Sequence, residues 1–146
     1  MRLGTPLVVG LLMVVAMYLV QALGITAVVL LMRSQLRANV AGNWLRSVVI
    51  AGCALAVITI AQLVQIAAWA ALFVACGEFD FATAFYHSAV NFTTLGYGDV
   101  VLSPRWKLLG PIEAITGMLM LGVSTAVLFA VINVLIRRDP AVPRLD

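Results

Sequence analysis

The chain has 146 residues, 64% of them hydrophobic and 10% charged, with a formal charge of +3. A soluble domain carries about a quarter charged residues, so this composition excludes an ordinary soluble protein and selects an integral membrane protein. The nine basic residues lie scattered between long uncharged runs, which excludes a nucleic-acid footprint and suits a role in membrane orientation.

The first uncharged run covers about residues 6–32. Arg2 ahead of an apolar stretch has the look of a secretory leader. The uncharged stretch 3–32 exceeds a leader's apolar core of about 7–15 residues, so it is read as a retained span. Pro6 suits a helix's first turn, where its missing N–H costs nothing. Gln21 and Gly24 interrupt the run without breaking it. A link follows at 33–43. With Arg46 it holds three arginines and no acid.

The second run covers 46–76, with Trp44 and Trp69 toward its ends. Gln62 and Gln65 lie about one turn apart and should face protein rather than lipid. Cys53, deep in this run, reads as packing. Cys76 near its end is either a free thiol or half of a disulfide between subunits. There is no CxxC and no metal-ligand spacing. The third run covers 112–136, preceded by Arg105, Trp106 and Lys107, which suit a membrane interface. At about 1.5 Å per residue each run exceeds the roughly 30 Å hydrocarbon core, so tilt is expected.

Charge bias sets orientation. The arginine-bearing link and the tail, with Arg137, Arg138 and Arg144 against Asp139 and Asp146, are expected in the cytoplasm. The amino terminus is then outside, as is the segment 77–111, and Glu113 lies near that outer end. The tail, with Pro140 and Pro143, is expected to be weakly ordered.

The segment 79–111 does not follow the spanning pattern. Its apolar part, 81–93, makes a helix of about 20 Å, too short to cross. Asp80 is a candidate N-cap, and Thr83 would cap a slightly later start. A polar, glycine-bearing stretch follows at membrane depth. Non-helical backbone survives there only when it lines a water-filled cavity or is buried in protein. The organisation alone therefore asks for a re-entrant helix leading into a pore or binding site.

That stretch, Thr94-Leu95-Gly96-Tyr97-Gly98, resembles the potassium-channel signature Thr-Val-Gly-Tyr-Gly, and Asp99 follows as it commonly does in that family. Residues 85–93 resemble the family's pore helix and the third span its inner helix. The whole resembles small bacterial channels of the two-transmembrane type with one extra helix in front. The fold expected is an all-α membrane protein of three transmembrane helices, with the re-entrant pore helix and filter loop between the second and third, in a tetrameric pore. Residues 1–45 would form the extra helix and link. Residues 46–136 would form the pore domain: outer helix 46–76, pore helix 81–93, filter 94–99 and inner helix 112–136. Residues 137–146 would form the tail.

The chemistry can be read residue by residue. A dehydrated potassium ion needs several oxygens close by, and a short strand supplies them if successive carbonyls face one way. Gly96 and Gly98 give the backbone freedom this requires. Thr94, Leu95, Gly96 and Tyr97 would offer K+ their carbonyls, and Thr94 its hydroxyl as well. The side chains of Leu95 and Tyr97 would brace the strand from behind. One chain gives one strand, so the geometry demands an oligomer, and the resemblance implies a homotetramer. The pore helix would aim the negative end of its dipole at the ion.

The resemblance further implies a hydrogen bond from Tyr86 to Asp99 behind the filter. Some relatives carry a pore-helix Glu that also pairs with this Asp; Val90 stands there instead. Leu95 replaces the usual valine. Glu113 would pair with Arg105 or Lys107, or hydrogen-bond behind the filter. By register, Gly122 matches the family's hinge glycine. Gly117 and Gly122 serve either as hinges or as close-packing positions. Val123, Ala126 and Ala130 are candidates for the cavity or gate, and their small size implies a wide or weakly closed inner gate.

His87 reads as packing or a pore-helix hydrogen bond rather than a pH sensor. No span carries regularly spaced arginines, so no voltage sensor is expected. There is no nucleophile triad and no P-loop, so no enzyme activity and no cofactor are expected. The partners are K+, membrane lipid and other copies of the chain. The place is a cell membrane of bacterial inner-membrane type. Two alternatives stay open: a weakly selective cation channel, and a non-conducting or regulatory subunit with the same fold.

Overall fold

The computed structural model describes residues 4–37 and 44–137. Arg2, residues 38–43 of the link, and Arg138, Asp139, Pro140, Pro143, Arg144 and Asp146 of the tail lie outside the described residues. Four helices follow in chain order: α1 Gly4–Arg37, α2 Trp44–Ala75, α3 Phe81–Phe92 and α4 Leu109–Ile136. Three of them are long and apolar enough to cross a membrane: Gly4–Arg33, Leu45–Ala75 and Leu109–Ile136. The protein is an all-α, multi-pass membrane protein.

The helix ends depart from the sequence expectation in ways the residues explain. α1 runs on through Arg33 to Arg37, past the expected end at 32, since Ser34-Gln35-Leu36-Arg37 contains no breaker. α2 covers Trp44–Ala75 rather than 46–76. Beyond it Gly77 takes φ 75°, a backbone that glycine adopts at least cost. α3 ends at Phe92, with Thr93 as its C-cap rather than its last residue. α4 begins at Leu109, not 112. Pro111 falls inside its first turn, where an N–H has no intrahelical acceptor to lose.

α2 and α4 pack on each other and carry both α1 and α3. Two small residues let α1 lie close: a Cβ on Gly10 would stand 2.7 Å from the Ile112 Cδ1, and one on Gly24 3.0 Å from the Ala61 Cβ. One apolar cluster joins Met17 of α1, Ile66, Trp69 and Phe73 of α2, Ala84 and Phe92 of α3, and Leu109 and Met120 of α4. Trp69 and Phe73 meet at 6.0 Å between ring centroids. A second cluster joins Val28, Met32, Ile50, Ala54, Ile58 and Val131. Between the two, by position along all three long helices, lies a polar layer. Gln21 Nε2 donates to Ser124 Oγ at 3.1 Å, Gln62 Nε2 donates to the same oxygen at 3.2 Å, and Gln65 Nε2 donates to Gln21 Oε1 at 2.9 Å. Gln62 and Gln65 thus face protein, as interhelical contacts.

α3 descends between α2 and α4. A Cβ on Gly117 would stand 2.0 Å from the carbonyl oxygen of Phe92, so only glycine admits this contact. Gly117 is eight residues into α4, so α3 ends about 12 Å along that helix. The chain then returns through residues 93–108 without regular structure.

Candidate functional site

The site is the turn that α3 makes at its inner end and the strand that leaves it. Asp80 caps the other end of α3. Its carboxylate accepts from the backbone N–H of Ala82 at 3.0 Å and of Thr83 at 3.3 Å, and from the Thr83 hydroxyl. The Thr83 hydroxyl and these amides hold Asp80 below the usual carboxylate range. Thr83 is thus a partner of the cap, not a second cap.

At the C-terminus the helix closes in a Schellman pattern: Thr94 N–H donates to Asn91 O at 2.9 Å and Leu95 N–H to Val90 O at 3.0 Å. Gly96 N–H also points to Val90 O, at 3.3 Å. Val90 is otherwise a buried side chain, so its part in the site is its carbonyl. Across a trans peptide the C=O points opposite to the N–H. The amides of Leu95 and Gly96 are turned back onto α3, so the carbonyls of Thr94 and Leu95 face away from it, on the same side.

The backbone signs continue this arrangement. Thr94 (φ 60°), Gly96 (φ 60°) and Gly98 (φ 74°) have positive φ, while Leu95 and Tyr97 between them do not. Alternation of this kind keeps successive carbonyls on one side of a strand. The two glycines adopt it freely. Thr94 is β-branched, and its left-handed backbone is strained, a feature that clusters at functional sites. Residues 93–99 are exposed on the single chain, with Leu95 at 55% and Tyr97 at 67%. The same-facing carbonyl oxygens of Thr94 and Leu95 thus stand on an exposed stretch of backbone.

The limb after Gly98 is tied back to α3. Tyr86 Oη donates to Asp99 Oδ2 at 2.7 Å, and Val100 N–H donates to Asp99 Oδ1 at 3.1 Å. The hydrogen bond from Tyr86 holds Asp99 below its ordinary value and raises the Tyr86 phenol. His87 Nδ1 lies 3.0 Å from Val100 O, and Asn91 Nδ2 lies 2.8 Å from His87 Nε2. A carbonyl only accepts, so Nδ1 carries the proton and Nε2 accepts from the Asn91 amide. The ring sits between Phe73 and Phe79, with centroids 5.2 Å from each. Burial lowers its pKa, against a weaker pull from Asp99 and Glu78. Farther along, Glu78 accepts from the N–H and the hydroxyl of Ser103, each at 2.6 Å.

Behind α3, Glu113 is fully buried, and its Oε1 takes up the Ser88 hydroxyl, which also reaches Ile66 O of α2 at 2.9 Å. Of the expected alternatives for Glu113, it is the hydrogen bond to α3 that is present. Arg105 lies instead over the Trp106 ring at 5.1 Å. Gly117 is a packing position. A Cβ on Gly122 would meet nothing within 4 Å. Gly122, Val123, Ala126 and Ala130 are all exposed on α4. Cys76 is half-buried and unpaired within its own chain, and Cys53 is exposed on α2 rather than packed inside the chain.

Sequence reasoning missed Ser88, the His87–Val100 tether, the Glu78–Ser103 pair, and the parts played by Gln21 and Ser124. The signal for Gln21 was present: a lone amide within a long apolar run. Among the described residues no group of three or more His, Cys, Asp or Glu side chains is placed to hold a metal ion.

Comparison with known proteins places these elements in one family. The family described as "Ion channel" matches residues 57–133, which takes in most of α2, all of α3 with the strand after it, and most of α4. No curated protein and no solved structure matches the chain. The family match spans more than half of the 146 residues, so this membrane protein belongs to the ion channel family and is not an enzyme.

Proposed function

We propose that four copies of the chain form a potassium-selective channel in which residues 94–98 are the selectivity filter and α3 is a re-entrant pore helix. The observation that carries this reading is the backbone of residues 94–98: alternating φ sign, with the Thr94 and Leu95 carbonyls facing away from α3. K+ would be held by the carbonyls of Thr94, Leu95, Gly96 and Tyr97 and by the Thr94 hydroxyl, which together replace its hydration shell. The end of α3 adds its negative dipole. Tyr86, Asp99, the Val90 carbonyl and Glu113 support the filter from behind.

Oligomerisation follows from exposure. Irregular backbone cannot face lipid at membrane depth, yet residues 93–99 are exposed on one chain. Neighbouring copies cover the strand and complete the ring of oxygens. α4 lines the inner cavity with Val123, Ala126 and Ala130, and Gly122 is free to act as the hinge. The amino terminus is external and the carboxyl terminus cytoplasmic, on the charge of the link and tail.

The test is ion flux from liposomes holding the purified protein. Potassium-driven flux that barium blocks is the expected result. Equal sodium and potassium flux would leave a weakly selective cation channel, with Leu95 the first residue to examine. No flux under any gating condition would leave a non-conducting subunit.

A further inference from the structure

α1 has no part in the filter chemistry above, yet it carries a buried amide. Gln21 is 6% exposed and its side chain is engaged at both ends: it donates to Ser124 of α4 and accepts from Gln65 of α2. A helix that served only as an anchor in lipid would have no use for this group, because an amide at membrane depth is costly to insert.

The acceptor is informative as well. Ser124 Oγ takes two amide donors, from Gln21 and Gln62, and Ser124 lies two residues past Gly122. Upstream of Gly122, α4 is fixed to α3 by the Gly117–Phe92 backbone contact and by Glu113 to Ser88. Downstream, Ser124 is the first inward anchor, and Val131 packs into the second apolar cluster beyond it. A bend at Gly122 therefore leaves the upper part of α4 in place and carries Ser124 away from both amides. Lipid offers neither amide another acceptor.

We propose that α1 is a clamp on the inner helix, acting through the Gln21–Ser124 contact to set how readily α4 bends at Gly122. This rests on the reading of α4 as the pore-lining helix. The clamp acts at the gate and leaves the filter alone. Hydrogen bonds of this kind between spans shift an equilibrium about threefold each, and up to about twentyfold at the strongest.

The full chain is reconstituted with Gln21→Leu, Ser124→Ala and both together. Two quantities are read: single-channel open probability, and the distance between spin labels at Val48 of α2 and Val134 of α4. The labels are placed on cysteines after Cys53 and Cys76 are replaced, and labelled subunits are diluted with unlabelled ones. Each single variant should change the ratio of the two gate conformations by about threefold or more. The double variant should add little to the larger single effect, and the preference for K+ over Na+ should stay as in the parent. Unchanged label distances in variants that remain assembled would overturn the clamp, as would additive single effects or an altered ion preference. Should Gln21→Leu fail to assemble, Ser124→Ala, which keeps every helix, gives the same two readings. The label distances report α4 even if the parent passes no ion, so a failed clamp and a failed channel reading are told apart.

Discussion

Thr94 carries strain that glycine in its place would not. A β-branched residue at φ 60° costs about 1–3 kcal/mol, and in the proposed filter its hydroxyl is the reason to keep it. Thr94→Gly should therefore raise the thermal stability of the assembled protein while weakening the preference for K+ over Na+; thermal unfolding and reversal potentials check the two halves separately. Gly96→Ala acts in the opposite sense. It places a Cβ at φ 60°, at about 1–2 kcal/mol in each copy, and flux assays should find selective conduction lost. His87 gives a pH dependence. Burial makes the folded chain take up its proton later than the unfolded chain does. Its share of stability is thus whole above about pH 6.5 and declines as the pH falls from there toward the lower folded value. Melting temperature in detergent should drop as the pH falls below about 6.5, and His87→Phe should flatten that drop. The backbone freedom of Gly96 and Gly98 was legible from residue type, and both take positive φ. Packing and a hydrogen bond within α3 were legible for His87, and both are present, against Phe73 and Phe79 and to Asn91; its tether to Val100 was not legible, because that partner is a backbone carbonyl, which no sequence displays.

At the scale of helices, the meeting of α3 with α4 decides where the strand lies. Gly117 and Gly122 look alike in sequence, and the structure separates them. Gly117→Ala would drive a Cβ into the Phe92 backbone, which cannot rotate aside, so a loss of about 1–3 kcal/mol or more and poor assembly are expected. Gly122→Ala meets nothing in its own chain and gains about 0.8–1 kcal/mol of helix propensity, so the protein should assemble at least as well as the parent. Yield of assembled oligomer on size exclusion distinguishes them. The existence and type of all four helices were readable from run length and from Asp80. Their ends shifted by up to five residues, and Pro111 is the instructive case: placed ahead of the third run, it sits in a first turn that has no hydrogen bond to lose.

For the molecule as a whole, what the sequence withheld was which faces meet. The three spans are apolar around their full circumference, so periodicity marks no inner face. Gln21, Gln62, Gln65 and Ser124 mark one midway along the spans, and Glu113 marks one near the start of α4; their partners lie on other helices. α1, in sequence only an extra helix in front, covers part of the α2–α4 pair. Removing residues 1–43 would open the polar layer, including fully buried Gln65, to lipid. The truncated protein should form far less stable oligomer than the full chain, as gel mobility after mild heating would reveal.

The same layer has a consequence for biosynthesis. Gln21 and Ser124 are 103 residues apart, and Gln21 and Gln65 are 44 apart. At about 5–20 residues per second on the ribosome, the first span waits some seconds for the second, and about 5–20 s for the fourth helix to supply the serine. Throughout that longer interval its amide N–H lacks the final acceptor, Ser124. A nascent α1 should linger beside the translocon or a membrane chaperone, and leave for the bilayer only when the last span arrives to receive it.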